Sequence, residues 1–99
     1  MALLDDVKLA LRISISNTAF NGEVLDLIAE ARADLKLSGV LAAKADAETP
    51  DALIKRGITT FAKANFGYDN PDADRLRNAY DMLKAHLTLS QEYTVGDAP

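Results

Sequence analysis

The stretch from Pro50 to Asn70, PDALIKRGITTFAKANFGYDN, limits the possible folds more than any other part of the chain. At 100° per residue Ile54, Ile58, Phe61, Ala62 and Asn65 fall on one side of a helix, and Leu53, Gly57, Thr60 and Ala64 form a second, small-residue side beside it. An amphipathic surface helix needs a single apolar stripe. This one asks to be covered over more than half its circumference, which places it in the middle of a small bundle. Gly57 points the same way, because a mid-helix glycine is destabilising by up to about 1 kcal/mol relative to alanine and is usually compensated by close approach of another backbone. The remaining arc holds Lys55, Arg56, Thr59 and Lys63. Lys55, Arg56 and Lys63 therefore make a candidate basic partner face, either solvated or set against acidic groups.

Three more helices account for the rest of the periodicity. The first is predicted from Asp5 to Arg12, with Asp5 as N-cap and Leu4, Val7, Leu11 and Ala10 on its buried stripe. Ile13 to Thr18 reads as a loop that resets the chain direction. The second helix is predicted from Phe20 to Ser38, ended by Gly39 in a left-handed conformation. Val24, Ile28, Ala31 and Leu35 form its core face. Glu23, Asp26, Glu30 and Asp34 form an acidic ridge on the opposite side. Like charges one turn apart repel, so the ridge does nothing for the isolated helix. It is either a solvated face or a surface that avoids DNA or meets a basic face on another copy.

Val40 to Thr49 is predicted to be a connecting loop with at most one helical turn, after which Pro50 opens the central helix. FGYDNPDAD then makes a tight hairpin, with Gly67 closing one helix, Asn70 capping the next and Pro71 in its first turn. The last helix is predicted from Pro71 to Glu92, about 30 Å at 1.5 Å per residue. Ala73, Leu76, Ala79, Tyr80, Leu83 and Leu87 form the stripe that packs on the central helix. Met82, His86, Leu89 and Tyr93 form a second stripe that is either covered by an earlier helix or left as an interface. The expected architecture is all-α: a small bundle of four helices with a long C-terminal helix, residues 1–93 as one domain and residues 94–99 as a flexible tail.

Composition removes several classes of function. A chain of 99 residues is one domain with a thin core, of a size at which partners often complete the burial. Fifteen acidic residues against 11 basic ones give a net charge of −4, which disfavours a protein whose task is to neutralise phosphates. The absence of cysteine removes disulfides and thiolate metal sites. The N-terminus has acids where a secretory signal needs positive charge, and no apolar run is long enough for a membrane span, so an intracellular origin is expected. Asp5 with Asp6, and Asp69, Asn70, Asp72 and Asp74, are the only carboxylate clusters that suggest a cation. The second lacks the glycine and distal glutamate of a calcium loop and reads as helix capping. His86 has Met82 and Ser90 one turn away and no ligand partner. No catalytic or phosphate-binding motif is present, so no enzyme activity, metal or cofactor is expected.

LLDDVKLALRIS at Leu3 to Ser14, a second helix ending KLSGV at Lys36 to Val40, the central helix and the hairpin into a long last helix occur in an order that resembles a known family. The family is the small head-tail connector proteins of tailed bacteriophages, also called adaptor, head-completion or DNA-packaging proteins. The resemblance runs from about Leu3 to Tyr93 and is clearest in an acid-acid-apolar-Lys helix ending in Leu-Arg-Ile, here Asp5, Asp6, Val7, Lys8, Leu11, Arg12 and Ile13. Ser14, Ser16, Asn17 and Thr18 depart from the acidic run that often follows in relatives. The resemblance implies an all-helical virion protein, made in the bacterial cytoplasm, that forms a ring, commonly twelvefold, beneath the portal protein. Such a ring joins head to tail, extends the DNA channel without binding DNA specifically, and receives a stopper or tail-completion protein. On that reading the acidic ridge faces the channel or the next subunit, and the Met82, His86, Leu89, Tyr93 stripe docks the portal or a neighbour. The competing reading is a small helical nucleic-acid-binding protein, such as a terminase small subunit or a regulator. It would need several basic side chains on one exposed face, and only the central helix comes close.

Overall fold

The computed structural model describes residues 2–67 and 70–95. Its elements in order are α1 (Leu3–Ala10), α2 (Asn21–Leu37), α3 (Ala42–Ala45), α4 (Ala52–Asn65), α5 (Ala73–Leu89) and α6 (Gln91–Thr94), with no strand among the described residues. The chain is all-α. Four of the helices are the long ones expected, while α3 and α6 are four-residue turns. Helix α4 packs against α5, α2 and α1, the central position its two covered faces require. Val7, Val24, Ile28, Ala31, Leu35, Ile54, Ile58, Ala62, Tyr80 and Leu87 form one buried cluster. The molecule measures 45 × 28 × 18 Å, so its thinnest dimension is about two helix layers deep.

Two helices end in the same way. After α2, Gly39 takes φ +112°, its N–H donates to the Lys36 carbonyl at 3.1 Å, and the Val40 N–H donates to Leu35 at 2.9 Å. After α1, Arg12 takes φ +67°, its N–H donates to Leu9 at 3.0 Å, and the Ile13 N–H donates to Lys8 at 2.8 Å. Both are Schellman caps, each with a buried apolar residue, Val40 or Ile13, immediately after the left-handed one. This gives the Leu-Arg-Ile pattern its physical content. Arginine occupies the position that glycine usually fills, at roughly 1–2 kcal/mol of backbone strain. Lys8, 1% exposed, lies under the same corner and donates from Nζ to the Ile15 carbonyl at 3.0 Å, pinning the loop that follows.

Several expected boundaries move. Asp5 is not the N-cap of α1: burial of Leu3 in the core draws the helix start back to Ala2. Pro50 does not open α4. Asp51 is its N-cap, with Oδ1 accepting the Ile54 N–H at 3.0 Å, and Pro50 precedes the cap. Asn70 shapes the approach to α5 as an Asx turn, accepting the Asp72 N–H at 3.0 Å, and the helix proper starts at Ala73 rather than Pro71. Asp69, expected in the capping cluster, lies outside the described residues. Leu53, expected on a covered side, is 45% exposed, and Asn65 points outward and donates to the Phe61 carbonyl. Gly57 is buried at the α4/α5 contact, yet a Cβ there would sit 3.6 Å from Leu83 Cδ2, an ordinary contact; no backbone approaches closely enough to require glycine.

The last helix is not continuous to Glu92. Ser90 is extended, with ψ 128°, and α6 turns inward. Tyr93 supplies the reason. It is buried at 7% exposure, its hydroxyl donates to Asp51 Oδ2 at 2.9 Å, and its carbonyl accepts the Leu41 N–H at 2.8 Å. An uninterrupted helix would have kept it on the outer line with Met82 and Leu89. Burial, then the bond to Asp51, pushes the Tyr93 hydroxyl up to about 12. Thr94, expected in the tail, belongs to α6, and residues 96–99 lie outside the described residues.

Helices α2 and α5 are tied by Asp34, which accepts from the Tyr80 hydroxyl at 2.6 Å and from Lys84 Nζ at 3.0 Å. Burial by itself would raise the Asp34 carboxyl, but the bonds from Tyr80 and Lys84 and the Lys84 charge outweigh it and hold the group below its ordinary 3.8. The Tyr80 hydroxyl is pushed well above its ordinary range, first by burial and then by the Asp34 bond and charge.

Three outcomes follow from these contacts. Gly57→Ala is expected to stabilise the fold by about 0.5–1 kcal/mol, read as a rise of several degrees in Tm; a fall would mean that α5 approaches closer than Leu83 indicates. Tyr93→Phe keeps the packing and the Asp51 cap but removes a bond to a carboxylate, and should lower stability by about 1.5 kcal/mol in urea unfolding. Asp34→Asn should lose about 1 kcal/mol at neutral pH, a modest value because the carboxylate is part-exposed. Since the folded-state pKa of Asp34 is depressed, its contribution is complete well above 3.8 and is lost as pH falls through the lower folded value. The stability gap to the variant should therefore close in acid, and a gap that persists at pH 2 would refute the ion-pair account.

Candidate assembly surfaces

Three surfaces remain exposed once the core is assembled. The first is a groove of about 650 Å³ between α4 and α5. The exposed arc of α4 brings Lys55, Arg56, Thr59 and Lys63 to it, as the periodicity predicted, and α5 adds Arg75, Leu76, Ala79 and Leu83. Lys55 is already held by Asp6 at 3.2 Å, and Arg75 lies 3.6 Å from Asp72. Arg56 and Lys63 are exposed. A smaller depression of about 300 Å³ shares Lys63 and Arg75 and adds Arg12, whose left-handed backbone projects it there. Cations from three separate segments thus meet on one side of an acidic protein. Arg12 and Arg75 escape sequence reasoning because neither lies on the α4 face; the only signal for Arg75 is its place one turn before Ala79, on the stripe that packs on α4.

The second surface is the outer face of α2. Glu23, Asp26 and Glu30 are exposed and in no ion pair among the described residues. Asp34, the fourth member of the expected ridge, is withdrawn from it by Tyr80 and Lys84. Helix α2 ends in Leu37, which is 88% exposed. On α5, Tyr80 and Lys84 reach Asp34 of α2, while Leu76, Ala79 and Leu83 line the groove.

The third surface is the outer line of α5. Met82 and Leu89 are 65% and 86% exposed, and His86 between them is exposed. Tyr93 is not part of this line, because the break at Ser90 turns it into the core. Burial of isolated apolar side chains is no requirement for a soluble protein, but two on one helical line, with His86 between them, make a surface that gains by being covered.

Among the described residues no group of three or more His, Cys, Asp or Glu is placed to hold a metal ion, and no helix is long and apolar enough to cross a membrane. Tyr80, whose hydroxyl is pushed well above its ordinary range, and Asp34 satisfy each other as a tie between helices, and the space beside them is a shallow depression of about 230 Å³.

No curated protein and no solved structure gives a significant match to the chain. A family model described as phage connector protein matches residues 3–94, which takes in all six helices, the two Schellman corners and the inward turn at Tyr93. The chain belongs to the phage connector protein family.

Proposed function

We propose that this protein is a structural subunit of the phage head-tail junction, assembling as a ring, expected to be twelvefold, beneath the portal protein, extending the DNA channel and presenting a docking surface to a stopper or tail-completion protein. The family match over residues 3–94 carries this reading. The shape supports it: a body two helix layers deep, with exposed leucines at the end of α2 and along α5, leaves burial to be completed by other chains. Met82, His86 and Leu89 are assigned to the portal or a neighbour, and Glu23, Asp26 and Glu30 to the channel wall or the next subunit. An acidic wall suits DNA passage, since a wall that gripped phosphate would hold the DNA in place.

The basic rim of the α4/α5 groove is the one observation that favours nucleic-acid binding instead. Two of its cations are partnered by Asp6 and Asp72, and the net charge of −4 opposes it.

The discriminating measurement is light scattering of the purified protein, alone and mixed with the phage's portal, with a DNA mobility shift at physiological salt. A ring, or a monomer recruited by the portal without DNA affinity, is the expected result. Leu89→Ser with Met82→Ser should weaken portal recruitment or ring formation about tenfold or more while leaving Tm within about 2 °C, because both side chains are exposed. A discrete dimer that shifts DNA and ignores the portal would overturn the proposal.

A further inference from the structure

We infer that the basic α4/α5 groove is the socket for the acidic outer face of α2 from a second copy of this chain, so that successive copies join head to tail. The inference rests on the ring-forming reading above and assigns its contact.

The residues match in charge and in spacing. Glu23 and Glu30 are seven residues apart on α2, and Arg56 and Lys63 are seven apart on α4. Each pair spans about 10.5 Å on one helical face. With the helices antiparallel, Glu23 meets Lys63 and Glu30 meets Arg56, and Asp26 is level with Thr60. With the helices parallel, Glu23 meets Arg56 and Glu30 meets Lys63, and Asp26 is level with Thr59. Both threonines line the groove and offer a hydroxyl donor to the third acid. Leu53, exposed in the single chain, lines the groove with Leu76 and Leu83.

Within one chain the two surfaces do not pair: among the described residues no ion pair joins Glu23, Asp26 or Glu30 to Arg56 or Lys63, and Glu23 accepts only the Gly67 N–H, at 3.5 Å. Their complementarity is therefore satisfied only between chains, and because each copy keeps an unused face of each kind, the contact is heterologous and propagates until it closes. Asp34 fits this division. Its carboxylate is used inside the chain, and the three acids that remain exposed are the ones whose spacing matches the groove.

The test exchanges charge on exposed residues that make no core contact. One variant carries Glu23→Lys and Glu30→Lys, the other Arg56→Glu and Lys63→Glu. Each alone presents like charges on both surfaces, and its self-association by sedimentation should weaken about tenfold or more. An equimolar mixture restores opposite charges at every contact, so association should return to the wild-type level. A cysteine-free chain permits a second readout at high protein concentration, in which Glu30→Cys in one copy should cross-link through a short bis-maleimide to Arg56→Cys in another if the helices are antiparallel, or to Lys63→Cys if they are parallel. Variants that associate like the wild type would overturn the socket while leaving the connector reading intact, because portal recruitment tests that separately. Absence of association and of both cross-links would also overturn it. Loss of DNA binding, rather than of self-association, in the Arg56→Glu, Lys63→Glu variant would transfer the groove to nucleic acid.

Discussion

Burial of α4 on two adjacent faces is the constraint on which the rest of the structure depends. Ile54, Ile58 and Ala62 turn one face to the core, and Gly57 and Ala64 are buried alongside. A helix covered this way needs neighbours on several sides, and α1, α2 and α5 supply them. Its start is secured by one carboxylate with two tasks: Asp51 caps the first turn with Oδ1 and accepts the Tyr93 hydroxyl with Oδ2. The end of the described chain is thereby fastened to the start of its central helix, and Lys44 over the Tyr93 ring adds α3 to the same knot. Removing Tyr93 from the outer line of α5 leaves Met82, His86 and Leu89 as the exposed remainder.

Chain reversals around α4 are set by cap chemistry rather than by long loops. Gly39 and Arg12 both adopt positive φ and both direct the next apolar residue, Val40 or Ile13, into the core. Glycine adopts this conformation readily. Arginine does so at a cost, and it projects a cation towards Lys63 and Arg75. The loops after the corners are held by single long side chains, Lys8 to the Ile15 carbonyl and Arg32 to the Ala47 carbonyl at 2.7 Å, with Lys36 and Asp46 paired at 2.9 Å.

A body of this thickness separates its surfaces cleanly. The exposed acids of α2 make no ion pair with the basic groove of α4 and α5 among the described residues, so neither surface neutralises the other within one chain. An unneutralised pair of opposite faces on a thin subunit suits repetition around a ring, where each copy meets two neighbours through different surfaces.

The sequence by itself determined the four long helices, the central place of α4, the core face of α2 and the basic arc of α4, because each depends on residue periodicity along one helix. It also determined the family, since order and spacing of short segments survive without knowledge of contacts. What only the tertiary structure decided are the features that join distant segments. The break at Ser90 is set by a hydroxyl partner 42 residues away, the withdrawal of Asp34 by Tyr80 46 residues away, and the meeting of Arg12, Lys63 and Arg75 by three separate segments. Helix ends moved for the same reason: the burial of Leu3 and the capping oxygen of Asp51 outweighed local preferences at Asp5 and Pro50. Periodicity tells which side of a helix is wet, but which wet residues are already spoken for is a property of the packed chain.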